Sequence, residues 1–155
     1  MDAQSGAEEM TEEDSHTKDI EFKFDASLPP LLPPGDHYVV AFVRAEQQLL
    51  WGKRRKLFMH FKVVSPAEHA GAALFLAANV AHDGKWGIGF KFYRLWALAA
   101  GYRPKRKDRL STTVFRGKYF KARVKTVEVS SKNTKRALAA QYSIVDELLT
   151  IEAGA

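Results

Sequence analysis

Two stretches of the chain alternate apolar and polar residues with a period of two, which is typical of β-strands with one buried face. In LFMHFKVV (Leu57–Val64) the apolar set is Leu57, Met59, Phe61 and Val63, and the opposite set is Phe58, His60 and Lys62. In VFRGKYFKARVKTVEV (Val114–Val129) the inner set is Phe120, Ala122, Val124 and Thr126, and the outer set is Tyr119, Lys121, Arg123 and Lys125. Both patterns predict strands, the second with a bulge or bend at Gly117.

The remaining elements follow from β-branched runs, turn residues and helical spacing. Gly35–Trp51 begins with a turn signal and continues as a β-branched and aromatic run, which predicts a strand. Ala72–Val80 predicts a third strand, although its alanines also suit a helix. Phe90–Tyr102 is predicted to be a helix, with Trp96 on its apolar stripe and Gly101 at its end. Tyr142–Ile151 fits either a strand or a short helix.

The predicted order is three strands, one helix, one long strand and a final strand. This is the layout of the OB-fold, a five-stranded Greek-key barrel with one helix between strands 3 and 4. The fold class is therefore expected to be mainly β. The alternative is an α+β open sheet with a packed helix, which gives a similar pattern.

Charge divides the chain into an acidic beginning and a basic body. Residues 1–20 contain seven Asp/Glu and one Lys, whereas the whole chain has 24 Lys/Arg and 18 Asp/Glu. We expect residues 1–19 to be an acidic disordered tail and residues 20–34, with LPPLLPP, to be an extended Pro-rich lead-in. Residues 35–152 are then one domain, whose net positive charge favours a polyanion as partner.

No catalytic pattern emerges from the residue types. Cysteine is absent, which excludes thiolate chemistry and fits a reducing cytoplasm. The five histidines lack metal-ligand spacing, acidic residues in the body are scattered, and GKWGIG is neither a P-loop nor a dinucleotide fingerprint. We expect a cytoplasmic protein without a membrane segment, cofactor, metal or enzymatic activity.

Basic and aromatic side chains share the predicted surfaces. Proteins that bind single-stranded nucleic acids use this combination, because cationic side chains contact the phosphates and aromatic rings stack on unpaired nucleobases. An ordinary solvated surface is the competing interpretation. Candidate contacts on the two strands are Phe58, His60, Lys62, Arg116, Lys118, Tyr119, Lys121, Arg123 and Lys125. Those in the loops are Trp51, Lys53, Arg54, Arg55, Lys56, Trp86, Arg103, Lys105, Arg106, Lys107 and Arg109. For Trp86, a role in capping the core is an equal alternative.

Four segments, GDHYVVAFVRA, RRKLFMHFKVV, KFYRLWALAAGY and VFRGKYFKARV, resemble the OB-fold single-stranded DNA-binding proteins of phages and integrating or mobile bacterial elements. The resemblance covers roughly residues 35–150. It implies a role in DNA replication, recombination or mobile-element maintenance. It also implies that Phe58, His60, Lys62, Tyr119, Lys121 and Arg123 are face contacts. Many such proteins recruit partners through an acidic C-terminal tail, whereas here the acidic stretch is N-terminal.

The sequence thus predicts a sequence-tolerant single-stranded DNA-binding protein. The alternatives are an RNA or duplex DNA binder, and a protein-interaction adaptor or inhibitor with a basic surface. Residues 1–19 either compete with nucleic acid, contact replication or recombination proteins, or only keep the chain soluble. A homo-oligomer is compatible with each of these functions.

Overall fold

The computed structural model describes residues 19–21, 30–49, 55–81, 87–105, 110–130 and 132–152. Within these ranges the elements are five strands and one α-helix: β1 (Gly35–Leu49), β2 (Arg55–Ser65), β3 (Ala73–Asn79), α1 (Lys91–Ala100), β4 (Tyr119–Val127) and β5 (Tyr142–Glu152). Short 3-10 turns occupy Ala67–His69, Thr112–Phe115 and Leu138–Ala140. The domain is mainly β, as predicted.

All five strands form one antiparallel sheet in the order β3-β2-β1-β4-β5. Strands β3 and β5 are the edges, and no described residues pair them through backbone hydrogen bonds. The sheet is therefore open, as in the predicted alternative of an open sheet with a packed helix, and it is not a closed barrel. The two edges nevertheless come near each other, since the rings of Phe75 and Tyr142 lie 6.0 Å apart.

Strand β1 is long enough to serve two partners along different parts of its length. It pairs with β4 from Gly35 to Ala41 and with β2 from Val39 to Leu49. The register shifts between Phe42 and Arg44, where Val43 is an extra, exposed residue. Such a bulge bends a strand and increases its twist. Only the segment Val39–Ala41 is paired on both sides.

The core lies on the inner face of this bent sheet and is covered by α1. The predicted inner residues of β2 (Leu57, Met59, Phe61 and Val63) are all buried, as are Phe120, Ala122 and Val124 of β4, whereas Thr126 is only half-buried. Phe115 is fully buried at the centre, with its ring 5.7–6.1 Å from those of Phe42, Phe92 and Phe120. Period-two alternation therefore identified both buried faces correctly.

Helix α1 begins and ends close to the predicted limits, because its apolar stripe and its terminal glycine indicate the same helical segment. Phe92, Leu95 and Ala99 are buried against the sheet. Gly101 adopts φ 83°, the left-handed conformation that ends a helix at little cost for glycine. Trp96, predicted to be core, packs against the core but is only half-buried, and its indole Nε1 donates a hydrogen bond to the Ser111 carbonyl, 3.1 Å away.

One predicted strand needs correction, and two ambiguous segments are resolved as strands. The long strand does not begin at Val114, because Thr112–Phe115 is a 3-10 turn and Gly117, at φ 69°, separates it from β4. Tyr142–Glu152 is a strand rather than a helix, and Ala73–Asn79 is likewise a strand despite its alanines.

The Pro-rich lead-in is fastened to the start of β5, a contact that the sequence did not predict. The buried Ser143 Oγ accepts a hydrogen bond from Leu32 N at 2.7 Å and donates one to Leu32 O at 3.2 Å. Ser143 N also donates to Pro30 O at 2.9 Å. Nearby, the Tyr38 hydroxyl donates to Pro33 O, and burial, with a smaller effect of Glu68, raises the pKa of Tyr38 above its usual value.

No helix in the described ranges is long and apolar enough to cross a membrane.

Candidate nucleic-acid interface

Side chains from β2 and β4 lie on the same face of the sheet, on either side of the segment of β1 that is paired with both strands. Lys62 and Tyr119 are both cross-strand partners of Ala41, and Lys121 is a partner of Val39. Cross-strand partners share one face of a sheet, and two strand spacings separate Cα atoms by about 10 Å. The surface defined by Lys62, Ala41, Tyr119 and Lys121, called here the Tyr119 patch, therefore places a ring next to one cation on β4 and across β1 from another.

The availability of these groups differs along β4. Lys121 is exposed and Tyr119 is half-buried. Among the described residues, no carboxylate forms an ion pair with Lys62 or Lys121. On the β5 side, Glu152 is the cross-strand partner of Tyr119, which places one acid at the rim of the Tyr119 patch.

The two other predicted cations of β4 face acids instead. Arg123 Nε donates to Asp36 Oδ1 at 2.9 Å, and the Arg123 guanidinium lies 3.9 Å from Asp146. Lys125 Nζ lies 3.4 Å from Asp146 Oδ1. The hydrogen bond to Asp36, followed by its charge, raises the pKa of Arg123 above its usual value. These cations are thus partly neutralised, which makes them weaker candidates for phosphate contact.

On β2, Phe58 and His60 lie on the predicted outer face, and His60 belongs to a charged cluster that stands between Phe58 and the Tyr119 patch. Glu46 Oε1 lies 2.9 Å from His60 Nε2 and 3.1 Å from Arg44 Nη1. Hydrogen bonds from His60 and then from Arg44 lower the pKa of Glu46 below its usual value. Glu46 also stands opposite Phe58 in the β1–β2 register. The two predicted stacking rings, Phe58 and Tyr119, therefore do not form one continuous surface.

The basic residues between the helix and β4 that were predicted to contact nucleic acid have different surroundings. Lys118 is half-buried and its Nζ donates to Ala99 O at 2.6 Å, so it satisfies a terminal carbonyl of α1. Arg116 is exposed on the turn before β4. Arg103 and Lys105 are exposed on either side of the buried Pro104.

At the start of β2, Arg55 is exposed and Lys56 is half-buried, opposite Leu49 and Gln48 of β1. The remaining predicted contacts lie outside the described residues: Trp51, Lys53, Arg54, Trp86, Arg106, Lys107 and Arg109.

The structure adds three residues that sequence reasoning missed: Phe75, Arg136 and Tyr142. Phe75 lies opposite His60 on the outer face of β3, and its ring is 5.7 Å from that of Phe58. Tyr142 is 6.0 Å from Phe75 on the other side, and Arg136 Cζ lies 5.5 Å from the Tyr142 ring centroid. Alternation within ALFLAAN could have placed Phe75 on an outer face, but no local signal indicates that β3 and β5 approach.

Throughout the described ranges, no group of three or more His, Asp or Glu residues is arranged to hold a metal ion. Comparison of the chain with protein-family models, with curated proteins and with solved structures finds no match. The resemblance to single-stranded DNA-binding proteins is therefore still a prediction from sequence, and a function has to be argued from the arrangement of the side chains.

Proposed function

We propose that this protein is a non-enzymatic, sequence-tolerant single-stranded DNA-binding protein. The observation that supports this proposal most strongly is the Tyr119 patch, where one half-buried ring shares a face of the sheet with two lysines that have no acidic ion-pair partner among the described residues. Lysines supply affinity by releasing counterions from phosphates, and the ring supplies a stacking surface that accepts any base. A role in replication, recombination or mobile-element maintenance would suit such an activity.

The architecture proposed for this function is an OB-like, partly open barrel. Its support is the contact of the two sheet edges through Phe75 and Tyr142, together with the helix between β3 and β4. OB-folds are five-stranded, partly open Greek-key barrels that bind oligonucleotides on a strand face and adjacent loops.

A titration of the full chain with fluorescently labelled oligo-dT of increasing length, at two salt concentrations, tests the function. We expect affinity to rise with length and to fall with salt, with a slope of about −0.7 per phosphate neutralised. Lys121→Gln should reduce the slope by about that amount. Lys132→Gln removes the same charge from the exposed β4–β5 turn and serves as the matched control.

Two outcomes would contradict the proposal. Length-independent or salt-independent affinity would favour a protein-interaction adaptor, in which the basic surface meets an acidic protein. Stronger competition by a duplex or by poly-U than by poly-dT would favour recognition of duplex DNA or RNA, because stacking surfaces prefer unpaired bases.

A further inference from the structure

A row of three aromatic rings crosses the place where the two edges of the sheet approach. The row consists of Phe58 on β2, Phe75 on β3 and Tyr142 at the start of β5, with successive centroids 5.7 and 6.0 Å apart. Each ring is half-buried, so part of its surface is accessible. We call these residues the edge row. It continues the outer face of β2 away from β1.

The opposite direction, from Phe58 across β1 to Tyr119, passes an acid. Glu46 stands beside Phe58 and is held there by Arg44 and His60. The Glu46 carboxylate is ionised at neutral pH, as glutamates ordinarily are, and the hydrogen bonds from His60 and Arg44 lower its pKa further. A phosphodiester crossing this point would be repelled by the Glu46 carboxylate, and Arg44 and His60 already contact that carboxylate. This arrangement disfavours a path for DNA from Phe58 to Tyr119.

The edge row, by contrast, ends at a cation. The Arg136 guanidinium lies over the Tyr142 ring, with its Nε 3.5 Å from Val129 O. The backbone of Arg136 is held by two hydrogen bonds, because Arg136 N donates to Glu128 O at 2.6 Å and Gln141 Nε2 donates to Arg136 O at 3.1 Å. Guanidinium groups bind phosphates and also stack on bases. A strand leaving the last ring would therefore find a positioned positive charge.

We propose that single-stranded DNA continues from Phe58 over Phe75 to Tyr142, crossing the junction of β3 and β5, with Arg136 contacting a phosphate at the end of the row. This inference rests on the proposed function and specifies the site's path. The bases stack on the edge row, and Tyr119 with its lysines forms a second, separate contact on the sheet face.

The rings could also serve only to pack the two edges together, so the test needs a measurement that packing alone would not change. Oligo-dT is compared with the same oligonucleotide in which several central bases are replaced by abasic sites. Both are titrated against the wild-type chain, Phe75→Leu, Tyr142→Leu and the conservative variant Tyr142→Phe. Leucine preserves apolar packing but removes the stacking face. Thermal unfolding shows that each variant is folded.

Loss of one stack should weaken oligo-dT binding about 5- to 150-fold, the equivalent of roughly 1–3 kcal/mol per base. The abasic oligonucleotide should bind wild type more weakly than oligo-dT does, and the leucine variants should lose much of this difference, whereas Tyr142→Phe should retain it. Arg136→Gln, which leaves the ring in place, should reduce the salt slope by about 0.7.

The two proposals fail in different ways. If wild type does not bind oligo-dT, the proposed function is wrong. If wild type binds but the leucine variants discriminate against abasic sites as strongly as wild type does, the path over the edge row is wrong and the rings only pack the edges. If both leucine variants are unfolded, Arg136→Gln becomes the test. A salt slope for this variant equal to that of wild type would show that the proposed path is wrong.

Discussion

Tyr119 of β4 and Lys62 of β2 lie opposite the same residue of β1, Ala41. These residues are far apart in sequence, and the two strands do not touch each other, because β1 runs between them. Between them, β1 contributes only the half-buried methyl group of Ala41. A substitution at Ala41 would therefore place a new group on the surface between Tyr119 and Lys62.

A charge placed at Ala41 should reverse the character of the Tyr119 patch. We expect Ala41→Glu to weaken oligo-dT binding about fivefold or more at low salt, since two negative unit charges about 4 Å apart in water repel each other by about 1 kcal/mol. Ala41→Gln introduces an uncharged side chain of the same size as glutamate, and this variant should bind considerably more tightly than Ala41→Glu. Equal affinities of the two variants would show that phosphates do not pass over Ala41.

Release of the paired β4 cations should strengthen binding. Asp146→Asn removes the carboxylate that faces Lys125 and Arg123, while Arg123 keeps Asp36. We expect tighter oligo-dT binding and a salt slope steeper by about 0.7 if Lys125 gains one phosphate. Glu128→Gln makes the same charge change at an exposed residue beyond β4 and is the control. Identical slopes for the two variants would place Lys125 outside the interface.

Loss of the Ser143 hydroxyl should destabilise the domain without altering binding directly. Ser143→Ala leaves the Leu32 amide and carbonyl without their side-chain partner in a buried position. We expect the free energy of unfolding in urea to fall by about 1–3 kcal/mol. Thr150→Ala, at an exposed position of β5, should change it far less. A fall of similar size in both variants would mean that the lead-in contact contributes nothing specific.

Alkaline pH should destabilise the domain through Tyr38. Because burial raises its folded-state pKa above the unfolded value near 10, its contribution is complete below pH 10 and is lost as the pH rises through the folded-state pKa. Tyr38→Phe should cost about 0.5–1.5 kcal/mol at neutral pH, through the lost bond to Pro33, and should flatten the alkaline decline. Urea unfolding between pH 8 and pH 11 measures both. Parallel curves for wild type and variant would contradict the assignment.

The local part of the fold was predictable from sequence because burial imposes a period. The alternation that placed Phe61 and Phe120 inside also placed Lys62 and Lys121 outside, and both assignments are confirmed. The end of α1 followed in the same way from Gly101, whose positive φ only glycine adopts readily.

What could not be predicted depends on pairing between distant strands. Asp36 meets Arg123 across 87 residues of sequence, and no pattern within either segment indicates this contact. The approach of Phe75 to Tyr142 likewise depends on how far the sheet bends, which is a property of the whole strand order. Side chains that neutralise or extend a surface were therefore the ones that sequence reasoning missed.

The segment Val39–Ala41 is where β1 is paired on both sides, so these three residues connect one half of the sheet, β2 and β3, to the other half, β4 and β5, by backbone hydrogen bonds. Amide hydrogen exchange should be slowest around these residues, since their backbone lies between two hydrogen-bonded neighbouring strands. A ligand bound over Ala41 contacts side chains from both halves at once. Its binding should therefore slow exchange in β2 and β4 together, including at amides that it never touches.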